Sequence, residues 1–145
     1  MDGKPKVVDH ARQGRYDARM KAAMELGGTK TVVAVGENDG SLAEEFRFPT
    51  TTPEEAMRRA VAWYSEKGVP EAIGIAAFGP VRIDPKAGDW GVMQATPKPN
   101  WSGFSITAAL LAVFPELDIT LETDVNAACL AEARIGAAEG LENVA

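Results

Sequence analysis

Three short segments carry the side chains that could do chemistry. The first is Glu25-Leu26-Gly27-Gly28-Thr29-Lys30. Glycines between two β-type runs let a backbone approach a phosphate with no Cβ in the way. Thr29 adds a hydroxyl and Lys30 a point charge, both useful to a polyphosphate. The same glycine pair also suffices for a plain hairpin, and spacing alone leaves both readings open. It is not a Walker loop, because the glycine spacing that loop needs before its Lys-Ser/Thr is absent.

The second segment is Thr123-Asp124-Val125-Asn126-Ala127-Ala128. An acid at the carboxyl end of a strand, just before a helix, sits where open α/β sheets bind ligands. Asp124 can cap the helix. It can equally serve as a general base, since phosphoryl transfer to a hydroxyl needs an acceptor for the hydroxyl proton. Asn126 could supply the cap instead, so the two roles are compatible. The third segment pairs Phe78-Gly79-Pro80-Val81 with Ala95-Thr96-Pro97-Lys98-Pro99-Asn100-Trp101. Small polar groups beside aromatics suit a sugar, whose hydroxyls want paired partners and whose ring wants an aromatic platform. Trp90 and Trp101 fit such a platform or ordinary packing.

The elements that must hold these segments follow from pattern and punctuation. Ala22 to Leu26 and Thr31 to Val35 are two β-type runs joined by the glycine pair. Glu37-Asn38-Asp39-Gly40 is a turn. Leu42 to Pro49 is a third strand, with Leu42, Phe46 and Phe48 on one side. Thr51 or Thr52 caps a helix with Pro53 at its first position and Glu54 and Glu55 at its positive end. Met57, Ala60, Val61 and Tyr64 form its apolar face, and Gly68 and Pro70 end it. Ala72 to Phe78 is a continuous apolar run, expected to be a strand buried on both faces. Residues 81–101 form an ordered excursion. A second helix starts near Ser102 or Ser105, with Ile106, Leu110, Val113 and Phe114 as its buried stripe and Pro115 at its end. A strand over Ile119 to Thr123 and an alanine-rich helix over about Asn126 to Ala138 complete the order β-β-β-α-β-α-β-α. A three-strand meander followed by β-α units predicts an α/β fold, a mixed sheet with helices on its faces. That layout resembles one lobe of the ribonuclease-H-like superfamily, of the hexokinase/actin type.

Composition narrows the classes. The chain has 145 residues, enough for one domain with a real core. Its net charge of −6 argues against broad binding to a nucleic-acid backbone. A single cysteine, Cys129, forms no internal disulfide and has no metal-ligand spacing around it; a small buried residue on a helix is the expectation. A reducing, cytoplasmic location is the default. No apolar run reaches the length of about 20 residues that crosses a membrane. Residues 1–21 hold Lys4, Lys6, Arg12, Arg15, Arg19 and Lys21 without an apolar centre. They are expected to be a flexible leader, with 22–145 as the folded lobe.

Taken together and in order, the three segments resemble the ROK family of sugar kinases, and most of all its fructokinase branch. The family's first phosphate hairpin is an acid, one variable residue, then Gly-Gly-Thr-Lys; the acid here is Glu25, where many glucokinase relatives carry aspartate. The Phe-Gly-Pro-Val turn and the Ala-Thr-Pro-Lys…Trp segment resemble the same branch, and the similarity runs from about Met24 to Leu141. The resemblance implies that Asp124 is the catalytic base on the sugar hydroxyl. It implies that Gly27, Gly28, Thr29 and Lys30 face the phosphates of ATP, with Mg²⁺. It implies that Gly79, Pro80, Thr96, Lys98 and Asn126 lie on the sugar side. Relatives often carry aspartate where this chain has Arg82, with Asp84 two residues on, so the local loop contacts are open. The family's second phosphate segment, its zinc-binding Cys/His cluster and the Glu and His of its second lobe are not in this chain; His10 and Cys129 match none of them. The expectation is an N-terminal lobe of an ATP-dependent hexose kinase, with fructose favoured, its 6-hydroxyl the acceptor, and little activity alone. No resident metal, nucleic acid or membrane is expected, and a homodimer is allowed. The rivals are a sugar-sensing body without catalysis and a kinase for glucose, mannose or an N-acetyl sugar. Repressors in the family carry a helix-turn-helix domain ahead of the kinase-like part, and the segment before the first strand is too short for one.

Overall fold

The computed structural model describes residues 20–37 and 41–124. Ala22, Met24 and Leu26 alternate with Ala23 and Glu25, which gives the first strand, β1 (Lys21–Leu26), one buried face. It turns at Gly27 into β2 (Lys30–Gly36), paired antiparallel with Leu26 opposite Thr31. A third antiparallel strand, β3 (Leu42–Pro49), completes the meander. The pairing slips between Val35 and Gly36. Leu42 ends up 62% exposed, and the inward stripe of β3 is Phe46 and Phe48 alone.

Helix α1 (Pro53–Lys67) begins as its residues dictate. Thr52, not Thr51, is the cap: its hydroxyl accepts from the Glu55 amide at 3.3 Å, and Pro53 takes a position where no N–H is needed. Ala56, Met57, Ala60 and Tyr64 are buried under it. The Tyr64 hydroxyl donates to the Ala23 carbonyl at 2.5 Å, bolting the helix to β1. Burial pushes this phenol well above its ordinary range.

After α1 the chain crosses to β4 (Ala72–Ala77), which runs parallel to β1 on the side away from β2. Then come the excursion, the short helix α2 (Ile106–Leu111) capped by the Ser105 hydroxyl, and β5 (Asp118–Thr123), parallel to β4. The sheet order is β3-β2-β1-β4-β5. One face of this sheet meets both described helices in a single core that joins Met24, Ile73, Ile75 and Leu121 to Met57, Tyr64, Ile106 and Leu110.

Four expectations need correction. The folded part starts earlier than residue 22, since Lys21 opens β1 and Met20 is only 1% exposed. β4 is not buried on both faces: Ile73, Ile75 and Ala77 point into the core, while Gly74 is exposed and Ala72 and Ala76 are half-buried. A run of small apolar residues hides the two-residue period that decides this. Val113 is not part of the α2 stripe. The helix stops at Leu111, and a tighter turn carries Phe114 inward while Val113 stands 48% exposed. Leu42, as noted, faces solvent. The leader over 1–19, the helix expected over 126–138, Asn126, Cys129 and His10 lie outside the described residues.

Candidate functional site

β1, β4 and β5 are mutually parallel and end in register. Leu26 lies beside Ala77, and Ala77 beside Thr123. Whatever follows each strand therefore emerges at one end of the sheet: the Gly27–Lys30 turn after β1, Phe78-Gly79-Pro80 after β4, and Asp124 after β5. The chain leaves β1 toward β2 and β3 on one side and returns to β4 on the other. The carboxyl ends of β1 and β4 thus flank the point where the winding reverses, the usual ligand crevice of an open sheet. Strand spacing of about 4.8 Å puts Asp124 about 10 Å across the sheet from the hairpin.

The hairpin is shaped for an anion. The Gly27 amide donates to the Lys30 carbonyl at 3.0 Å, and a Cβ on Gly27 would sit 2.7 Å from that oxygen, so only glycine closes this turn. At Gly28 nothing lies within 4 Å of where a Cβ would be, which leaves open approach for a large group. Gly28, Thr29 and Lys30 are exposed, and among the described residues the Gly28 and Thr29 amides donate to no protein group. This donor set, two amides with a hydroxyl and an ammonium nearby, fits a phosphate.

The hairpin is braced from below. The Thr50 amide donates to the Thr29 carbonyl at 2.8 Å, and the buried hydroxyls of Thr50 and Thr31 are 2.6 Å apart. The turn after β4 is braced as well: the Phe78 amide donates to the Leu26 carbonyl at 2.8 Å, and the Gly79–Pro80 peptide is cis. The Pro80 carbonyl accepts from the Gln94 amide at 2.8 Å, and Val81 bridges Met93. These bonds fold the excursion back, so the segment carrying Thr96 and Lys98 follows directly on residues held against Pro80. Thr96 is held at its amide by the Ser102 hydroxyl (3.0 Å), and its own hydroxyl accepts from the Lys98 amide (3.3 Å). Asn100 takes the left-handed conformation (φ 73°), which asparagine tolerates, and turns the chain so that Trp101 enters the core.

The structure thus gathers Gly27, Gly28, Thr29, Lys30, Gly79, Pro80 and Asp124 at one end of the sheet. It joins Thr96 and Lys98 to that end through Gln94 and Pro80. Asn126 lies outside the described residues. Trp101 is fully buried, edge-on to Phe78 at 5.3 Å, and its indole N–H donates to the Thr51 carbonyl at 2.8 Å. It is a packing residue and not a platform for a ring. Trp90 stays half-buried, beside Ile83, Pro85, Ile119, Thr120, Leu121 and Glu122 around a cleft of about 220 Å³ at the β5 edge. Arg82 meets Asp89 within the excursion at 3.1 Å, which accounts for a cation at this position. The bracing threonines, Thr31 and Thr50, carried no local signal in the sequence; they sit nineteen positions apart and meet only because β2 and β3 pair. No cluster of His, Cys, Asp and Glu suited to a metal occurs among the described residues, and no described helix is long and apolar enough to cross a membrane.

Known proteins resemble this chain in sequence and in fold. Residues 21–145 match the ROK family. The chain is 37% identical over 121 residues to a fructokinase of Pediococcus pentosaceus, covering 83% of this chain and 41% of that protein. It is 35% identical over 132 residues to a fructokinase of Zymomonas mobilis subsp. mobilis, covering 87% and 43%. Among solved structures, a ROK family glucokinase from Streptomyces griseus in complex with glucose and AMPPNP superposes with a TM-score of 0.67 at 29% identity, over 83% of this chain and 38% of that one. The chain therefore spans about two fifths of the length of the curated relatives it matches. The mixed five-stranded sheet is the ribonuclease-H-like lobe of the hexokinase/actin type.

Proposed function

Because this chain belongs to the ROK family, we propose that it forms the N-terminal lobe of a cytoplasmic, ATP-dependent hexose kinase whose preferred acceptor is the 6-hydroxyl of fructose. The observation that carries this reading is the shared register of β1, β4 and β5, which delivers an anion-shaped hairpin and an exposed carboxylate to the same end of one sheet. Bound ATP, with Mg²⁺, supplies the phosphoryl group and the charge neutralisation that travels with it. The chain's own residues do the rest. Gly28, Thr29 and Lys30 hold phosphate oxygens through two amides, a hydroxyl and an ammonium. Asp124 accepts the proton of the sugar hydroxyl as its oxygen becomes a nucleophile. Gly79, Pro80, Thr96, Lys98 and Asn126 line the sugar side. Asp124 directly follows the last residue of β5 and is exposed, so its carboxylate is accessible to such a hydroxyl.

Fructose is favoured by the named fructokinases among the relatives and by Glu25 ahead of the glycine pair. The Streptomyces griseus neighbour, which holds glucose, keeps a second hexose in view. The deciding experiment measures ATP-dependent phosphorylation of fructose, glucose and mannose by the intact gene product that contains this sequence, beside the 145-residue chain. Fructose turnover by the intact product, with little by the isolated chain, is expected. Sugar binding without turnover by either would replace the kinase with a sugar sensor.

A further inference from the structure

Thr50, Thr51 and Thr52 join β3 to α1, and each is held by a different part of the molecule. Thr50 grips the phosphate hairpin on both sides of Lys30: its amide donates to the Thr29 carbonyl (2.8 Å), and its hydroxyl pairs with that of Thr31 (2.6 Å). Thr51 is tied to the excursion, its carbonyl accepting the Trp101 indole N–H at 2.8 Å across fifty positions of sequence. Thr52 caps α1. Trp101 is in turn locked into the sugar-side loop. Its amide donates to the Lys98 carbonyl at 3.4 Å, and the adjacent Ser102 hydroxyl bonds both the amide and the carbonyl of Thr96. Its ring stands edge-on to Phe78 and Phe104.

A buried hydroxyl pair adds little net stability over two apolar groups of the same shape. What it adds is direction, because a hydrogen bond has one geometry and a methyl contact has many. A buried indole N–H likewise needs one particular partner. Both devices sit on the short link between the two loops that must grip different substrates. Resting on the kinase reading above, we propose that Thr50 and Trp101 are positioning residues that set the phosphate hairpin and the sugar-side excursion relative to one another, so that filling one loop raises affinity at the other.

The test uses the intact gene product and a non-hydrolysable ATP analogue, titrated with and without saturating fructose. In the parent protein fructose tightens analogue binding about fivefold or more, within the usual range of coupling between sites. In Trp101→Phe, which keeps an aromatic side chain but loses the N–H and part of the indole's volume, that factor falls close to unity while fructose alone still binds. Independently, Thr50→Val raises KM for ATP and, because coupling is reciprocal, also loses the tightening of fructose by saturating analogue. The double variant Thr31→Val/Thr50→Val recovers thermal stability but not KM for ATP. An unchanged coupling factor in Trp101→Phe overturns the proposal, as does recovery of KM together with stability in the double variant, which a purely structural role predicts. A parent that binds both ligands without coupling overturns this inference and leaves the kinase reading standing. A parent that neither binds the analogue nor phosphorylates sugar brings down both.

Discussion

Gly91 tests the excursion most sharply. It is buried, with φ at +86°, and a Cβ there would lie 2.3 Å from the Thr107 hydroxyl oxygen and 2.4 Å from its methyl. Neither atom can swing away cheaply. Thr107 is buried at the start of α2, and its hydroxyl donates to the Trp90 carbonyl at 2.7 Å. Gly103 provides the control, because it has nearly the same φ (+85°) and nothing within 4 Å of the corresponding Cβ. Gly103→Ala should therefore cost only the left-handed strain, about 1–2 kcal/mol. Gly91→Ala should cost that strain plus the displaced hydrogen bond, about 0.5–1.5 kcal/mol, and the repacking of an overfilled site, about 1–3 kcal/mol. The expected gap between the two variants is about 1.5 kcal/mol or more. For domains of this size class, each kcal/mol moves the melting temperature by at least about 2 °C, so Gly91→Ala should melt at least about 3 °C below Gly103→Ala. Thermal unfolding followed by circular dichroism reads both variants side by side. Equal melting temperatures would refute the packing of the excursion on α2, and with it the path that brings Thr96 and Lys98 back toward Pro80.

Asp124→Asn in the intact gene product should lower kcat for sugar phosphorylation by about 10²–10⁴-fold, the share a general base supplies, with an unchanged circular dichroism spectrum; turnover near that of the parent would remove Asp124 from the proposed chemistry. Lys30→Ala should raise KM for ATP about ten- to hundredfold, as expected for loss of a hydrogen bond to a charged group, and should leave KM for fructose alone. Tyr64 gives a pH prediction. Its folded-state pKa is raised by burial, so its contribution is complete below the unfolded value near 10 and is lost as pH climbs above it. Chemical denaturation at rising alkaline pH should show the parent losing its advantage over Tyr64→Phe, and a pH-independent gap would contradict the burial of that phenol.

The sequence alone determined the elements whose signals are local. Thr52-Pro53-Glu54-Glu55 is a helix start because cap, proline and dipole act within one turn. Gly27-Gly28 marks a hairpin because a glycine at its first position closes that turn without a clash. The candidate site residues stood out for a related reason: an acid after a strand and a glycine-lysine turn are defined by their immediate neighbours, and their order resembled a family pattern. Face and partnership were not legible. Ala72-Ile73-Gly74-Ile75-Ala76-Ala77 carries no clear two-residue period, so only the neighbours of β4 decide that Ile73 and Ile75 face inward and Gly74 faces out. Val113 continues the apolar spacing of α2, yet the helix ends two residues earlier and its side chain meets solvent. Thr31 with Thr50 and Thr51 with Trp101 are contacts between residues nineteen and fifty positions apart, and no local rule encodes either pair. Tertiary structure decided them because strand register and chain return, which depend on the whole core, determine which distant backbones come within hydrogen-bond reach.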